Sequence, residues 1–163
     1  DDLTPLLPVL AHGIQAAEKV YDVKFDYACC LLPTAPLLLP EYVAEGLKKL
    51  EEQPDKKFAF SICCFNFPIF RAVKIVDENN AVESIWPEHE MTRSQDLTEA
   101  WHDAGQFHWG RREAWLHSKS IYNVGALGVP LPSYRVQDID TEEDWERAEV
   151  LWRMLEAEGS QSD

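Results

Sequence analysis

Residues 25–36 read FDYACCLLPTAP: an apolar run from Phe25 to Leu32 that stops at Pro33-Thr34-Ala35-Pro36. A run of that kind suits a strand covered on both faces, as in a parallel sheet, and proline, lacking an amide donor, ends it. Pro40 opens the next segment, EYVAEGLKKLEE, and proline is favoured in the first turn of a helix. FAFSICCF, Phe58 to Phe65, is a second run of the buried type. Strand, helix, strand in this order predicts an α/β fold with the two strands paired in parallel through a right-handed crossover. Ligands of such sheets gather at the carboxyl ends of the strands.

Outward from this unit, Leu10, Ile14, Ala17 and Tyr21 recur at helical spacing and predict a helix from Pro8 to Val20. Downstream, RAVKIV (71–76) and AVESIW (81–86) flank the turn-rich Asp77-Glu78-Asn79-Asn80, which predicts a hairpin projecting from the core as a candidate dimer arm. Phe107 to Trp109 is a short apolar stretch, Glu113 to His117 a short helix and Val136 to Ile139 a last strand. Thr141 suits an N-cap, with Asp144 three residues on as its capping-box partner, so a terminal helix is predicted over Glu142–Glu156. Trp145 and Trp152 share one face of it and are expected in the core. The tail at 159–163, GSQSD, is expected to be disordered.

The chain has 163 residues, 45% hydrophobic and 27% charged, which suits one domain with a sizeable core. Its formal charge of −14 argues against broad binding to nucleic acid, whose affinity comes mostly from Lys and Arg. The longest apolar run, Tyr27 to Leu39, is interrupted by Pro33 and Pro36 and is too short to span a membrane; a cytoplasmic location is expected. Cys29-Cys30 and Cys63-Cys64 lack metal-site spacing and read as buried thiols. The five histidines are scattered, and no serine sits in a G-x-S-x-G elbow.

In YRVQDIDTEEDW (134–145), Asp138 and Asp140 stand one residue apart, so on a strand they project the same way. Carboxylates that close raise one another's pKa unless a cation lies between them, and Mg²⁺ commonly takes one or two carboxylates plus substrate phosphates. The alternative is that these acids only favour the following helix N-terminus through its dipole. An aspartyl phosphatase also carries D-x-D, but wants a Thr or Val two residues on, whereas Thr141 follows Asp140 directly.

Three stretches, LLPTAPLL (31–38), RSQDLTEAWHDAGQFHWG (93–110) and YRVQDIDTEEDWERAE (134–149), resemble the CMP-sugar synthetases that activate nonulosonic acids. The resemblance implies a three-layer, Rossmann-like nucleotidyltransferase fold with a mostly parallel sheet and a dimerisation hairpin at about 66–100. It implies attack by the anomeric hydroxyl of a nine-carbon sugar acid on the α-phosphate of CTP, with release of pyrophosphate and with Mg²⁺ on Asp138 and Asp140. By the same resemblance Pro33 and Thr34 face the nucleotide, Arg93 and Gln95 face the substrate, where a guanidinium fork suits the sugar carboxylate or a phosphate, and Asp103, Gln106 and Phe107 face the sugar. Arg71 and Lys74 reach a neighbouring site across a homodimer.

Leu32-Pro33-Thr34-Ala35-Pro36 stands where sialic acid members show Q-P-T-S-P, and Asp103-Ala104-Gly105-Gln106 where they show an N-G-A-like segment. Both differences point to the branch that activates pseudaminic acid, with sialic and legionaminic acids as alternatives. The family's first strands and glycine-rich, basic loop are absent ahead of Asp1. Residues 1–158 are therefore expected to be the C-terminal portion of a single nucleotidyltransferase domain, inactive alone, or a non-catalytic remnant serving as an interaction domain.

Overall fold

The computed structural model describes residues 4–123 and 125–159. Its secondary structure runs α1 (Leu6–Tyr21), β1 (Tyr27–Leu31), α2 (Pro40–Glu52), β2 (Phe58–Cys64), β3 (Val73–Ile75), β4 (Val82–Ser84), β5 (Trp101–Arg111), α3 (Arg112–His117), β6 (Ala126–Pro130) and α4 (Glu142–Gly159). The tail predicted to be disordered lies, from 160 onward, outside the described residues. Among the described residues no helix is long and apolar enough to cross a membrane.

Both apolar runs form strands, but β1 and β2 are not neighbours. The sheet order is β1-β5-β2-β6, with β5 antiparallel to both β1 and β2, so these two point the same way without pairing. The parallel partner of β2 is β6, which the sequence reading passed over, and the expected direct pairing of β1 with β2 is corrected to a mixed sheet. The predicted strand at Val136–Ile139 is also corrected. This segment is unassigned: Val136 N–H bonds locally to Ser133 O (3.1 Å), and Ile139 N–H ties it to Thr34 O (3.1 Å) at the end of β1.

Alternation along β2 builds two cores, one on each sheet face. Phe58 and Phe60 join Ile14 of α1 and Ala114 and Trp115 of α3. Cys63, on the opposite face, joins Phe107 and Val129 beneath Tyr42 and Val43 of α2. The result is three layers. Helix α2 begins with Pro40 at its first turn, as predicted, and comes very close to β5: a Cβ on Gly46 would lie 2.8 Å from the rings of Phe107 and Trp109. The predicted hairpin is present as β3 and β4, with Lys74 paired to Glu83 (3.2 Å) and the turn closed by Asp77, which accepts the amides of Asn79 and Ala81.

The cysteines are free, and burial raises their thiols, that of Cys29 to about 12, which fits inert packing. Trp145 and Trp152 differ from expectation: they are 53% and 51% exposed. Rather than entering the core, they line an apolar cleft of about 280 Å³ with Pro36, Leu37 and Ile139.

Helices α1 and α3 are joined by Glu18, whose two carboxylate oxygens accept Nε and Nη2 of Arg112, while Phe25 N–H adds a third bond. The guanidinium holds the Glu18 carboxyl at about 2, against an ordinary 4.5. A depressed carboxylate stabilises the fold above its unfolded pKa and loses that contribution as pH falls through the folded one. Thermal melts should therefore show wild type above Glu18→Gln at neutral pH, with the gap narrowing below pH 4.5 and closing near pH 2. A gap independent of pH would contradict this.

Candidate active site

At the carboxyl end of β1 the chain leaves the sheet through Leu32, whose N–H bonds Gln106 O (3.0 Å), and makes two successive turns closed by Ala35 N–H to Leu32 O and Leu38 N–H to Ala35 O (both 3.4 Å). Pro33 and Thr34 sit on the first turn. Thr34 O then accepts Ile139 N–H, which sets Asp138 and Asp140 beside the turn. Both aspartates are exposed, and among the described residues their carboxylates have no hydrogen-bond or ion-pair partner.

The backbone at Asp140 is fixed from the helix side. Asp144 accepts the Thr141 hydroxyl (2.7 Å) and amide (3.0 Å), the Asp140 amide (3.3 Å) and Gln137 Nε2 (3.0 Å), while Thr141 Oγ1 accepts Asp144 N–H (3.3 Å). This is the predicted capping box. The Thr141 bonds hold the Asp144 carboxyl below the usual range. Asp144 is thereby committed to the cap, and Asp138 and Asp140 are left as acceptors without donors.

The third wall is an irregularity in β5. Phe60 pairs with His108 and Ile62 with Asp103, so residues 104–107 all lie opposite Ser61. Ser61 Oγ, fully buried, accepts the amides of Gln106 (3.2 Å) and Phe107 (3.3 Å) and so closes the bulge internally. Asp103 holds its near end: one oxygen accepts Gly105 N–H (2.9 Å), the other His108 Nε2 (2.8 Å) and the Tyr122 hydroxyl (2.7 Å). Burial pushes the Asp103 carboxyl up, but these bonds outweigh it and leave it below the usual range. Burial and the adjacent carboxylate push Tyr122 up to about 12, so it stays a donor.

Apart from Asp103, which braces the bulge, the expected site residues fall into three groups. Pro33, Thr34, Asp138 and Asp140 come together, with Gly105 under Asp138. Gln106 and Phe107 are adjacent but fully enclosed; the Gln106 amide donates to Arg135 O, its Oε1 has no partner, and Phe107 packs in the core. Arg71 and Arg93 bond close to the hairpin instead: Arg71 to the carbonyls of Glu90 and Thr92, Arg93 to Asp96 (2.8 Å). Gln95 lies on the same short 3-10 turn as Asp96. Tyr122 and His108 escaped the sequence reading. Tyr122 lies outside the three stretches that carry the resemblance and His108 within one of them, but only the fold brings both to Asp103. Beside them a cavity of about 310 Å³ is lined by Phe60, Trp101, His102, Asp103 and Tyr122.

The fold resembles that of a solved sugar-acid synthetase. The solved structure of CMP:2-keto-3-deoxy-manno-octonic acid synthetase complexed with CTP superposes with a TM-score of 0.51 at 15% identity, over 86% of this chain and 67% of that one. More particularly, the chain is similar to the pseudaminic acid cytidylyltransferases of Campylobacter jejuni subsp. jejuni. It is 36% identical to that of serotype O:2 and 38% identical to that of serotype O:23/36, in each case over 94% of this chain and 65% of the relative. A Helicobacter pylori protein named pseudaminic acid cytidylyltransferase and UDP-2,4-diacetamido-2,4,6-trideoxy-beta-L-altropyranose hydrolase is 27% identical over 85% of this chain and 26% of its own length. The chain thus spans about two thirds of the length of its Campylobacter relatives. No family model matches it.

Proposed function

We propose that this chain is part of a cytoplasmic cytidylyltransferase that transfers CMP from CTP to a nonulosonic acid, pseudaminic acid first among them, with release of pyrophosphate. The similarity to the Campylobacter enzymes along 94% of the chain carries this reading. The carboxyl end of β1 is where an α/β sheet of this kind takes its ligand, and the Pro33-Thr34 turn lies there.

The donor set fits Mg²⁺. Asp138 and Asp140 offer exposed carboxylate oxygens that, among the described residues, have no competing donor. A centre with one or two protein carboxylates that leaves other positions to water and phosphate is what magnesium tolerates. Bound there, magnesium would offset phosphate charge and polarise the reacting oxygens. The protein's share is positional: Asp144 fixes the backbone of Asp140, and the Thr34 carbonyl holds Ile139 between the two carboxylates. The hairpin, with Val73, Ile75, Val76 and Val82 more than half exposed, is read as a dimer arm.

The test is pyrophosphate release by the natural protein that contains this chain, with CTP, ATP, GTP and UTP against pseudaminic, sialic and legionaminic acids. Release with CTP and pseudaminic acid is expected. No CTP-dependent release with any acid would overturn the function, and a preference for sialic or legionaminic acid would overturn only the branch.

A further inference from the structure

We propose that Gly105 is a positioning residue whose missing side chain makes the hollow in which the Asp138 carboxylate is seated; the inference rests on the magnesium reading above and deepens it. Gly105 has φ +63°, in the left-handed region. A Cβ built on it would stand 3.0 Å from Asp138 Oδ2, 3.4 Å from Asp138 Cγ and 3.6 Å from Asp138 Cβ. A side chain at 105 would therefore press on the carboxylate, which would have to give by a few tenths of an ångström. Among the described residues the Asp138 carboxylate has no hydrogen bond to fix its rotamer, so the room left at Gly105 bears directly on where it can sit.

The hollow is itself held rigidly. On one side Asp103 Oδ1 accepts Gly105 N–H (2.9 Å), an Asx turn that sets the left-handed residue, and His108 and Tyr122 fix Asp103 in turn. On the other side Ser61 Oγ holds the amides of Gln106 and Phe107. The aspartate strap is tied to the same frame, by Gln106 Nε2 to Arg135 O before Asp138 and by Ile139 N–H to Thr34 O after it. The β5 bulge thus has a use: it presents a side-chain-free Cα to a carboxylate that must meet a cation in one place. Groups that orient metal ligands in this way typically govern affinity by about 10- to 100-fold.

Gly105→Ala would confound strain with loss of the hollow, because alanine resists positive φ. Asparagine tolerates that backbone and still fills the space, so Gly105→Asn separates the two. In the natural protein containing this chain, Mg²⁺ affinity is measured in the presence of CTP by calorimetry and by competition against Mn²⁺ resonance, beside kcat, KM for CTP and thermal melts. Gly105→Asn should melt close to wild type, bind Mg²⁺ about 10-fold or more weakly and lose kcat by a similar factor. KM for CTP should change little. Combined with Asp138→Asn it should add almost nothing, since both act through one carboxylate.

Wild-type Mg²⁺ affinity in Gly105→Asn, or effects that multiply in the double variant, would overturn the proposal. Should Gly105→Asn fail to fold, Asp138→Glu leaves the bulge intact and lengthens the acid out of the hollow. It should show the same loss of affinity, and wild-type affinity there would be equally fatal. Absence of Mg²⁺ binding in the wild-type protein with CTP would instead bring down the magnesium reading, and this proposal with it.

Discussion

Asp138→Asn and Asp140→Asn are each expected to lower kcat by about 100-fold or more, an effect of the size seen when one charge-stabilising group is removed from a transition state. KM for CTP should rise much less, because the lost interaction is strongest in the transition state. The fold should be unaffected, since both side chains are exposed and asparagine keeps their shape. If the two acids served only the dipole of α4, the same changes would leave turnover nearly intact and cost at most about 1 kcal/mol of stability. Turnover across a magnesium titration, read beside thermal melts, separates these outcomes. Near-wild-type rates with an unchanged magnesium requirement would remove the metal from the account.

The largest effect on stability is expected at Trp115. Its side chain is 1% exposed and meets Phe58 edge to face at 5.1 Å, and its indole N–H donates to Ala28 O at 3.0 Å. Trp115→Ala would leave a cavity between α1, α3 and the sheet and should cost about 3–5 kcal/mol. Trp115→Phe, which keeps most of the packing but orphans the Ala28 carbonyl, should cost about 1–3 kcal/mol. Urea unfolding with an unchanged m-value measures both, and a loss under about 1 kcal/mol for Trp115→Ala would show that the core is not organised around this residue.

What the sequence revealed is local. The apolar runs at β1 and β2 announced themselves because strands covered on both faces need no polar side chain, and Pro40 and the Thr141–Asp144 pair mark helix starts through contacts within a single turn. Only the stretch Phe107 to Trp109 of central strand β5 is legible, because His102, Asp103 and Gln106 interrupt the rest. Their polar atoms are met by distant groups, Asp103 by Tyr122 and the Gln106 side-chain amide by Arg135 O, which no local pattern reports. Strand β6 was hidden by Gly128 and Pro130, although Gly128 is where the Ile62 side chain comes to rest. Residues 136–139 alternate like a strand yet have no strand beside them to pair with, since a pattern supplies a face but not a partner.

The site divides along the same line. Asp138, Asp140, Pro33 and Thr34 were legible through motifs. The bond from Ile139 to Thr34 and the seat of Asp138 on Gly105 are tertiary facts that bring segments a hundred residues or a strand apart into one corner.

The central claim, a CTP site whose metal is held by Asp138 and Asp140, is met most directly by a crystal of the natural protein grown with CTP and Mn²⁺ in place of Mg²⁺, examined by anomalous scattering. The account predicts one manganese peak beside the nucleotide phosphates, within about 2.0–2.3 Å of a carboxylate oxygen from each aspartate. Ordered CTP with its metal bound elsewhere, or with both carboxylates free, would contradict it.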